Sequence, residues 1–280
     1  MDSEERKCCD DFLRWALPKI NMRWKGFRKV RGQVCKRIKR RQRELCLEHW
    51  EGYRNYLQDN PEEWEVVDHM ARITISRFFR DRKTWMELGN KLLPQIVHKA
   101  NACKRSVRCW TAGCASGEEP YSFTILWREK ILPAFPDASL ELVATDADSY
   151  LLKRARHACY NSGSLKEIPR EWQEKAFYRD DSTYCLNEPY HKMADFYQQD
   201  IREEMPEGEF DLIFCKNLVA MYFEKKLAVG IFRKISEKMR QGAFLFLGSH
   251  EEFPLDEVRN IKEFDRKLQI YRKDTTDYSE

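Results

Sequence analysis

Hydrophobic and polar positions follow two different periods along this chain, and the change between them comes near residue 100. Up to about Met70 the period is helical: Trp15, Ile20, Trp24 and Phe27 are spaced for packing, and Val34, Ile38 and Leu45 share a face. Leu47, Trp50, Tyr53, Tyr56 and Leu57 mark a further amphipathic stretch. Asn60-Pro61-Glu62-Glu63-Trp64 reads as a helix start, with Asn60 as N-cap and Pro61 at the first helical position. One more helix is expected over residues 85–97.

After that helix, apolar runs alternate with helical ones. Strands are expected at residues 107–111, 140–145, 210–215 and 243–248, with helices at 121–131, 150–158 and 225–239 between them. Residues 261–264 and 268–271 suggest a terminal hairpin. Strands alternating with helices imply a mostly parallel α/β sheet of Rossmann-like type, with ligands at the carboxyl ends of its strands. The expected organisation is a small all-helical, basic domain over residues 1–70 and a connecting segment over 71–95. A sheet domain then fills 96–280, with a short hairpin inserted near 180–200.

Composition narrows the class. Hydrophobic residues make up 42% of the 280 and aromatics 13%, enough for a buried core, so global disorder is excluded. No apolar run approaches the roughly 20 residues that cross a bilayer, and Met-Asp-Ser-Glu-Glu-Arg at the start lacks the pattern of a signal peptide. The expected location is therefore cytoplasmic, with the ten cysteines reduced. They show no Cys-x-x-Cys pair and no Cys/His spacing, so no metal is expected. The net charge of +4 is modest but concentrated: residues 23–43 carry many Lys and Arg and no acid. Such a run suits a nucleic acid, an anionic surface or an acidic protein, or else is a solvated helix face.

Arg108-Cys-Trp-Thr-Ala-Gly-Cys-Ala-Ser-Gly-Glu-Glu-Pro-Tyr-Ser122 carries the chemistry. It reads as a strand, a small-residue turn through Gly113, Ala115, Ser116 and Gly117, and a helix with Pro120 in its first turn. That arrangement cradles nucleotide-like cofactors. The absence of a Lys-Ser or Lys-Thr pair excludes a P-loop. Glu118 and Glu119 repel a pyrophosphate and favour a cation, which points to S-adenosylmethionine, a sulfonium bearing an amino acid and a ribose, over NAD or ATP. Asp146, ending the second strand, stands where ribose hydroxyls are held, while Asp148 is either a ligand contact or an N-cap. Asn217, ending the strand after residue 210, either holds a ligand or forms a turn.

These residues resemble the CheR-type chemotaxis receptor glutamate methyltransferases along nearly the whole chain. The resemblance rests on Ala115-Ser-Gly-Glu-Glu-Pro-Tyr-Ser122, Phe78-Phe79-Arg80-Asp81, Asp211-Leu-Ile-Phe-Cys-Lys-Asn217 and Gly248-Ser-His-Glu-Glu-Phe253. It implies a class I methyltransferase sheet, S-adenosylmethionine as donor and S-adenosylhomocysteine as product. The cofactor contacts it implies are Ser76, Arg80, Gly113, Glu119, Asp146, Asp200, Ile201, Asn217 and Leu218. Arg80 would hold the methionine carboxylate, Glu119 the amino group, Asp146 the ribose, and Asp200 with Ile201 the adenine. Arg80 and Tyr222 would face the acceptor, and Arg37, Arg40, Arg41 and His250 would bind the substrate. The sequence departs from the family with Thr74 and Asp200 at positions where Asn is common, and with five residues rather than four from Asn217 to Tyr222. A bare hairpin over residues 180–196 is expected in place of the family's three-stranded docking module.

A carboxylate acceptor is ionised at neutral pH and needs no general base, whereas a thiol or amine acceptor would need one, for which His250, Glu251 and Glu252 are candidates. Three functions follow. They are methyl transfer to a protein carboxylate, methyl transfer to a small molecule, and a non-enzymatic basic module with a cofactor-sensing sheet. The set Arg80, Glu119, Asp146 and Asn217 argues against the third, and against nucleic acid as the partner.

Overall fold

The change of period divides real structure. The computed structural model describes residues 3–274 and separates into two units. One is formed by Met1–Thr74 together with Leu218–Ala228, the other by Ile75–Asn217 and Val229–Glu280. None of the helices among the described residues is long and apolar enough to cross a membrane.

The first unit is helical. Its helices run over Ser3–Ala16, Arg31–Glu44, Trp50–Asp59 and Glu63–Ala71, with short turns at Leu17–Ile20 and Trp24–Phe27. Phe12, Leu13, Val34, Ile38, Tyr53, Leu57 and Val67 are buried between them. Phe12 sits within 5.2–5.7 Å of the rings of Trp15, Trp50 and Tyr53, geometry in which aromatic pairs add to plain area burial. Glu63 is among the charged groups buried in this core. Glu63 accepts a bidentate pair from Arg41 at 2.8 and 2.7 Å and the Tyr53 hydroxyl at 2.8 Å. Burial alone would raise the Glu63 pKa, but Arg41 and Tyr53 more than offset it and the net shift is downward. Asn60 is not the N-cap the sequence suggested: its amide donates back to Tyr56 O at 2.9 Å, so it finishes the preceding helix. The expectation of ten reduced thiols is also corrected, because Cys9–Cys35 and Cys159–Cys185 are bonded.

The second unit is built on strands β1 (Val107–Ala112), β2 (Leu140–Asp146), β3 (Cys159–Tyr160), β4 (Phe177–Asp180), β5 (Thr183–Leu186), β6 (Ala194–Gln198), β7 (Phe210–Phe214), β8 (Met239–Phe246), β9 (Ile261–Asp265) and β10 (Ile270–Lys273). Seven of them form one sheet in the order β6-β2-β1-β7-β8-β10-β9. The first four pairings are parallel, and the hairpin β9–β10 closes the edge antiparallel to β8. β7 is buried along its whole length, which explains a run that is apolar except for Asp211. β6 was not foreseen: Ala-Asp-Phe-Tyr-Gln is short and half polar, as an edge strand should be.

The expected bare hairpin at 180–196 is replaced by a separate three-stranded antiparallel sheet, β3-β5-β4. Its third strand is only two residues long, and Cys159 and Cys185 face each other across it. A strand that short carries no period for sequence reasoning to detect.

At the amino end of the main sheet, Asp211 accepts from both guanidinium nitrogens of Arg105 at 2.7 Å, from Arg240 at 2.9 Å and from Arg108 N at 3.0 Å. The Asp211 side chain is 8% exposed, so deleting it strands two cations in a mostly buried place. Asp211→Ala is expected to cost about 3 kcal/mol of stability. Urea denaturation checks this, and a loss under about 1 kcal/mol would mean the cluster is as weak as an exposed ion pair.

Candidate functional site

The carboxyl ends of β1 and β2 shape a tight loop. Gly113, Ala115 and Gly117 all take left-handed backbone conformations, at φ of 69°, 48° and 93°. A Cβ on Gly117 would meet Ala155, Tyr121 and Tyr160 at 3.0 Å each, so only glycine fits this bend. Four bonds hold the loop: Gly113 N and Cys114 N donate to Thr145 O, Ala115 N donates to the Asp146 carboxylate at 2.9 Å, and the Tyr160 hydroxyl donates to Ser116 O at 2.7 Å. The helix Glu118–Leu126 starts directly after it, with Pro120 in its first turn.

Asp146 therefore has a structural job as well as a candidate binding one. Its second oxygen accepts from Asp148 N at 2.9 Å. A carboxylate offers about four acceptor positions, the number a residue that both holds a loop and meets hydroxyl donors would use. Asp148 is an N-cap, accepting from Tyr150 N and Leu151 N. Gln199 N donates to Asp146 O at 3.1 Å, which brings Asp200 and Ile201 beside the end of β2. Both oxygens of Asp200 are engaged by Arg202, at 2.9–3.0 and 2.6 Å, and Ile201 is buried.

The segment before the sheet is fastened to the cofactor loop from above. Phe79 N donates to Ser122 Oγ at 2.8 Å, and that hydroxyl donates to Glu118 O at 2.6 Å. Ser76 hydrogen-bonds the Glu118 carboxylate. Phe79 and Asp81 adopt left-handed φ around Arg80, and Arg80 O accepts from Trp85 Nε1 and Lys216 Nζ. Arg80 as a residue is half-buried, and its guanidinium makes a long, exposed bond of 3.5 Å to Ile75 O.

Lys216 was not singled out by the sequence reading. It is buried at the end of β7, with Nζ 3.2 Å from Asp81, 3.7 Å from Glu119 and 5.6 Å over the Trp85 ring. Burial pushes the Glu119 pKa upward, with Lys216 opposing. Burial also raises that of Glu118, against the bonds to its own backbone, Ser76 and Ser116. One oxygen of Glu118 is buried with no hydrogen-bond partner. Buried acids with raised pKa and an unsatisfied oxygen suit a cationic ligand.

Asn217 is left-handed at φ 56°. Its N–H and that of Gly248 both donate to Glu251, the Gly248 bond being 2.8 Å. A Cβ on Gly248 would overlap the Asn217 amide, so glycine is required there too. Glu251 was a candidate proton acceptor from sequence; here it is a buried clamp joining the ends of β7 and β8. His250 is exposed. Leu218 and Tyr222 belong to the helical unit.

The substrate-binding arginines divide. Arg37 donates to Met70 O and Arg72 O at 3.0 and 2.5 Å, closing the end of the Glu63–Ala71 helix, and Arg41 is taken by Glu63. Both are half-buried and already paired within the helical unit. Arg40 is 72% exposed. Lys36 and Arg43, one turn either side of Arg40, are exposed with it and form a basic stripe.

The family model described as CheR methyltransferase, SAM binding domain, matches residues 74–268. The chain is 32% identical over 183 residues to the "Chemotaxis protein methyltransferase" of Listeria monocytogenes, covering 65% of this chain and 67% of that one. It is 29% identical over 241 residues to "Chemotaxis protein methyltransferase 2" of Vibrio cholerae, covering 82% of each. Among solved structures, a glycopeptide N-methyltransferase complexed with sinefungin matches at 12% identity and a TM-score of 0.33. The match covers 57% of this chain and about half, 49%, of that one.

A Glu119 that pairs with the cofactor's ammonium, as the resemblance implies, must be ionised, and burial raises its pKa. Affinity for S-adenosylmethionine is then full above that pKa and falls as pH drops through it, at a pH above the ordinary carboxylate range. Glu119→Gln is expected to remove this acid limb and to weaken binding about ten- to hundredfold at neutral pH. Calorimetric titrations over about pH 5–8 read both effects, and an unchanged affinity in the variant would exclude the pairing.

Proposed function

The chain belongs to the CheR methyltransferase family and is an S-adenosylmethionine-dependent methyltransferase, and from that premise we propose that its acceptor is a carboxylate on an acidic protein. The observation that carries this choice is the exposed stripe Lys36, Arg40 and Arg43 on a helical unit that the cofactor fold does not itself require. Exposed cations on one helix face attract and orient a polyanionic surface, and the pairing of Arg40 with Glu44 at 3.6 Å is itself solvent-exposed and weak. The relatives named as chemotaxis protein methyltransferases agree with a protein acceptor.

Bound S-adenosylmethionine supplies an electrophilic methyl group on a sulfonium. The residues of this chain bind and orient. Glu119 and Asp146 meet the ammonium and the ribose, Asp200 and Ile201 flank the adenine, and Ser76, Gly113, Asn217 and Leu218 complete the cradle. Arg80 pairs with the cofactor carboxylate as a fixed bidentate cation. A side-chain carboxylate is already a nucleophile at neutral pH, so in-line positioning and exclusion of water supply the acceleration. That fits Glu251, whose oxygen is spent on two backbone N–H groups and not held for proton transfer. Tyr222 lines the acceptor side, and the cytoplasm is our proposed site of the reaction.

A small-molecule acceptor was favoured by the expected loss of the three-stranded module. A three-stranded sheet, β3-β5-β4, occupies that region, so the argument from a lost module no longer favours the small acceptor. The non-enzymatic reading falls with the family membership.

Purified protein given methyl-labelled S-adenosylmethionine and an extract of its source cells is expected to place base-labile label in precipitated protein. Label confined to small molecules would overturn the proposal. Reversing Lys36, Arg40 and Arg43 to Glu should raise KM for the protein acceptor about tenfold or more while leaving affinity for S-adenosylmethionine intact. The effect should shrink as salt screens the stripe.

A further inference from the structure

Residues 218–228 follow β7 in the chain, yet they cluster with the helical unit. A set of bonds explains why. Arg23 N donates to Tyr222 O at 2.8 Å, and Arg23 Nε donates to the neighbouring carbonyl, Met221 O, at 3.1 Å. Glu224 N donates to Asn21 O at 2.9 Å, and Met22 pairs with Phe223 as an antiparallel bridge. Tyr222 is thus held through its own carbonyl and those of its neighbours.

Sterics lock the same stretch. A Cβ on Gly26 would overlap Met221 O and come within 2.9 Å of Tyr222 Cδ1. Phe27, fully buried, meets the Tyr222 ring edge-on at 5.1 Å and 62°. Gly26 takes no positive φ and sits within the helical turn Trp24–Phe27, where glycine weakens a helix. Close approach of the Met221 carbonyl is therefore the physical reason for a glycine at this place.

We infer that the 21–27 segment is a positioning element for Tyr222, with Arg23 and Gly26 as its positioning residues. The inference rests on the reading of Tyr222 as an acceptor-side residue. One compact unit then carries both the basic stripe that meets the acceptor protein and the clamp on the aromatic that meets its carboxylate. Neither Arg23 nor Gly26 need touch substrate. Each acts by fixing the loop, and misplacement by about 1 Å at a reacting geometry costs up to about a hundredfold in rate.

The test uses Gly26→Ala, Arg23→Ala and Arg23→Lys in the full chain, with three readouts: amide hydrogen exchange over residues 219–224, the Kd for S-adenosylmethionine, and kcat and KM for the protein acceptor. Gly26→Ala and Arg23→Ala are expected to speed exchange at Tyr222–Glu224 and lower kcat about tenfold or more. Kd should stay within about twofold, and Arg23→Lys, which keeps a donor for Met221 O, should recover most of kcat. Unchanged exchange overturns the inference whatever the acceptor proves to be. Faster exchange with unchanged kcat also overturns it, as does parallel loss of cofactor binding, the mark of a general folding fault. If the wild type methylates no protein, the proposed acceptor fails, and exchange alone still decides whether Arg23 and Gly26 hold the loop.

Discussion

Everything at the carboxyl edge of the sheet depends on one bond, from Ala115 N to the Asp146 carboxylate. The cofactor loop turns through three left-handed residues in five positions, and one of them, Ala115, carries a Cβ. A non-glycine residue there costs roughly 1–2 kcal/mol. A charge-assisted hydrogen bond to a partly buried carboxylate is of the size needed to offset it. The same carboxylate orders Asp148, which caps the next helix. A residue expected to bind ribose thus first builds the loop beside which ribose would lie. Loop conformation and candidate ligand affinity are linked through Asp146, and its replacement cannot be read as the loss of a contact alone.

The loop was legible because its chemistry is local. Gly113 to Ser122 bring the turn, the acids and the helix start within ten consecutive residues, and β7 announces itself by an apolar run interrupted by Asp211 alone. The clamp around it was not. Lys216 looks like an ordinary lysine after a strand, and only the fold shows it between Asp81 and Glu119, residues far away in the chain. Glu251 sits in a polar stretch whose composition says loop, while its carboxylate faces inward to two backbone donors. Asn60 carried a capping signal that the preceding helix used instead. For Lys216 and Glu251 the partner is set by tertiary approach and was out of reach of any pattern, whereas Asn60 chose between two local partners that the sequence could not rank.

Burying Glu118, Glu119, Asp81 and Lys216 together is costly unless the charges balance. Lys216 is shared between two carboxylates, Asp81 and Glu119. The deficit falls on the acids, and burial raises the pKa of both Glu118 and Glu119. A ligand cation arriving there would find acids short of positive charge rather than saturated by it. The clamp therefore holds the acids in place without neutralising them fully, which is what a site for a cation requires.

The basic run in the helical unit shows the same division of labour on a single helix. Arg37 and Arg41 are four residues apart and lie on one face, where they close a helix end and neutralise Glu63. Lys36, Arg40 and Arg43 lie about a third of a turn away and meet solvent. A count of charge along the sequence merges the two sets, because it ignores the 100° step between neighbours. Arginine suits the inward face, since its planar fork pairs bidentately with Glu63 and reaches two carbonyls at once. The outward face needs only charge, and there one lysine and two arginines supply it. The unit thus spends part of its basic run on its own stability and presents another part outward, and it is that outward part that faces an acceptor.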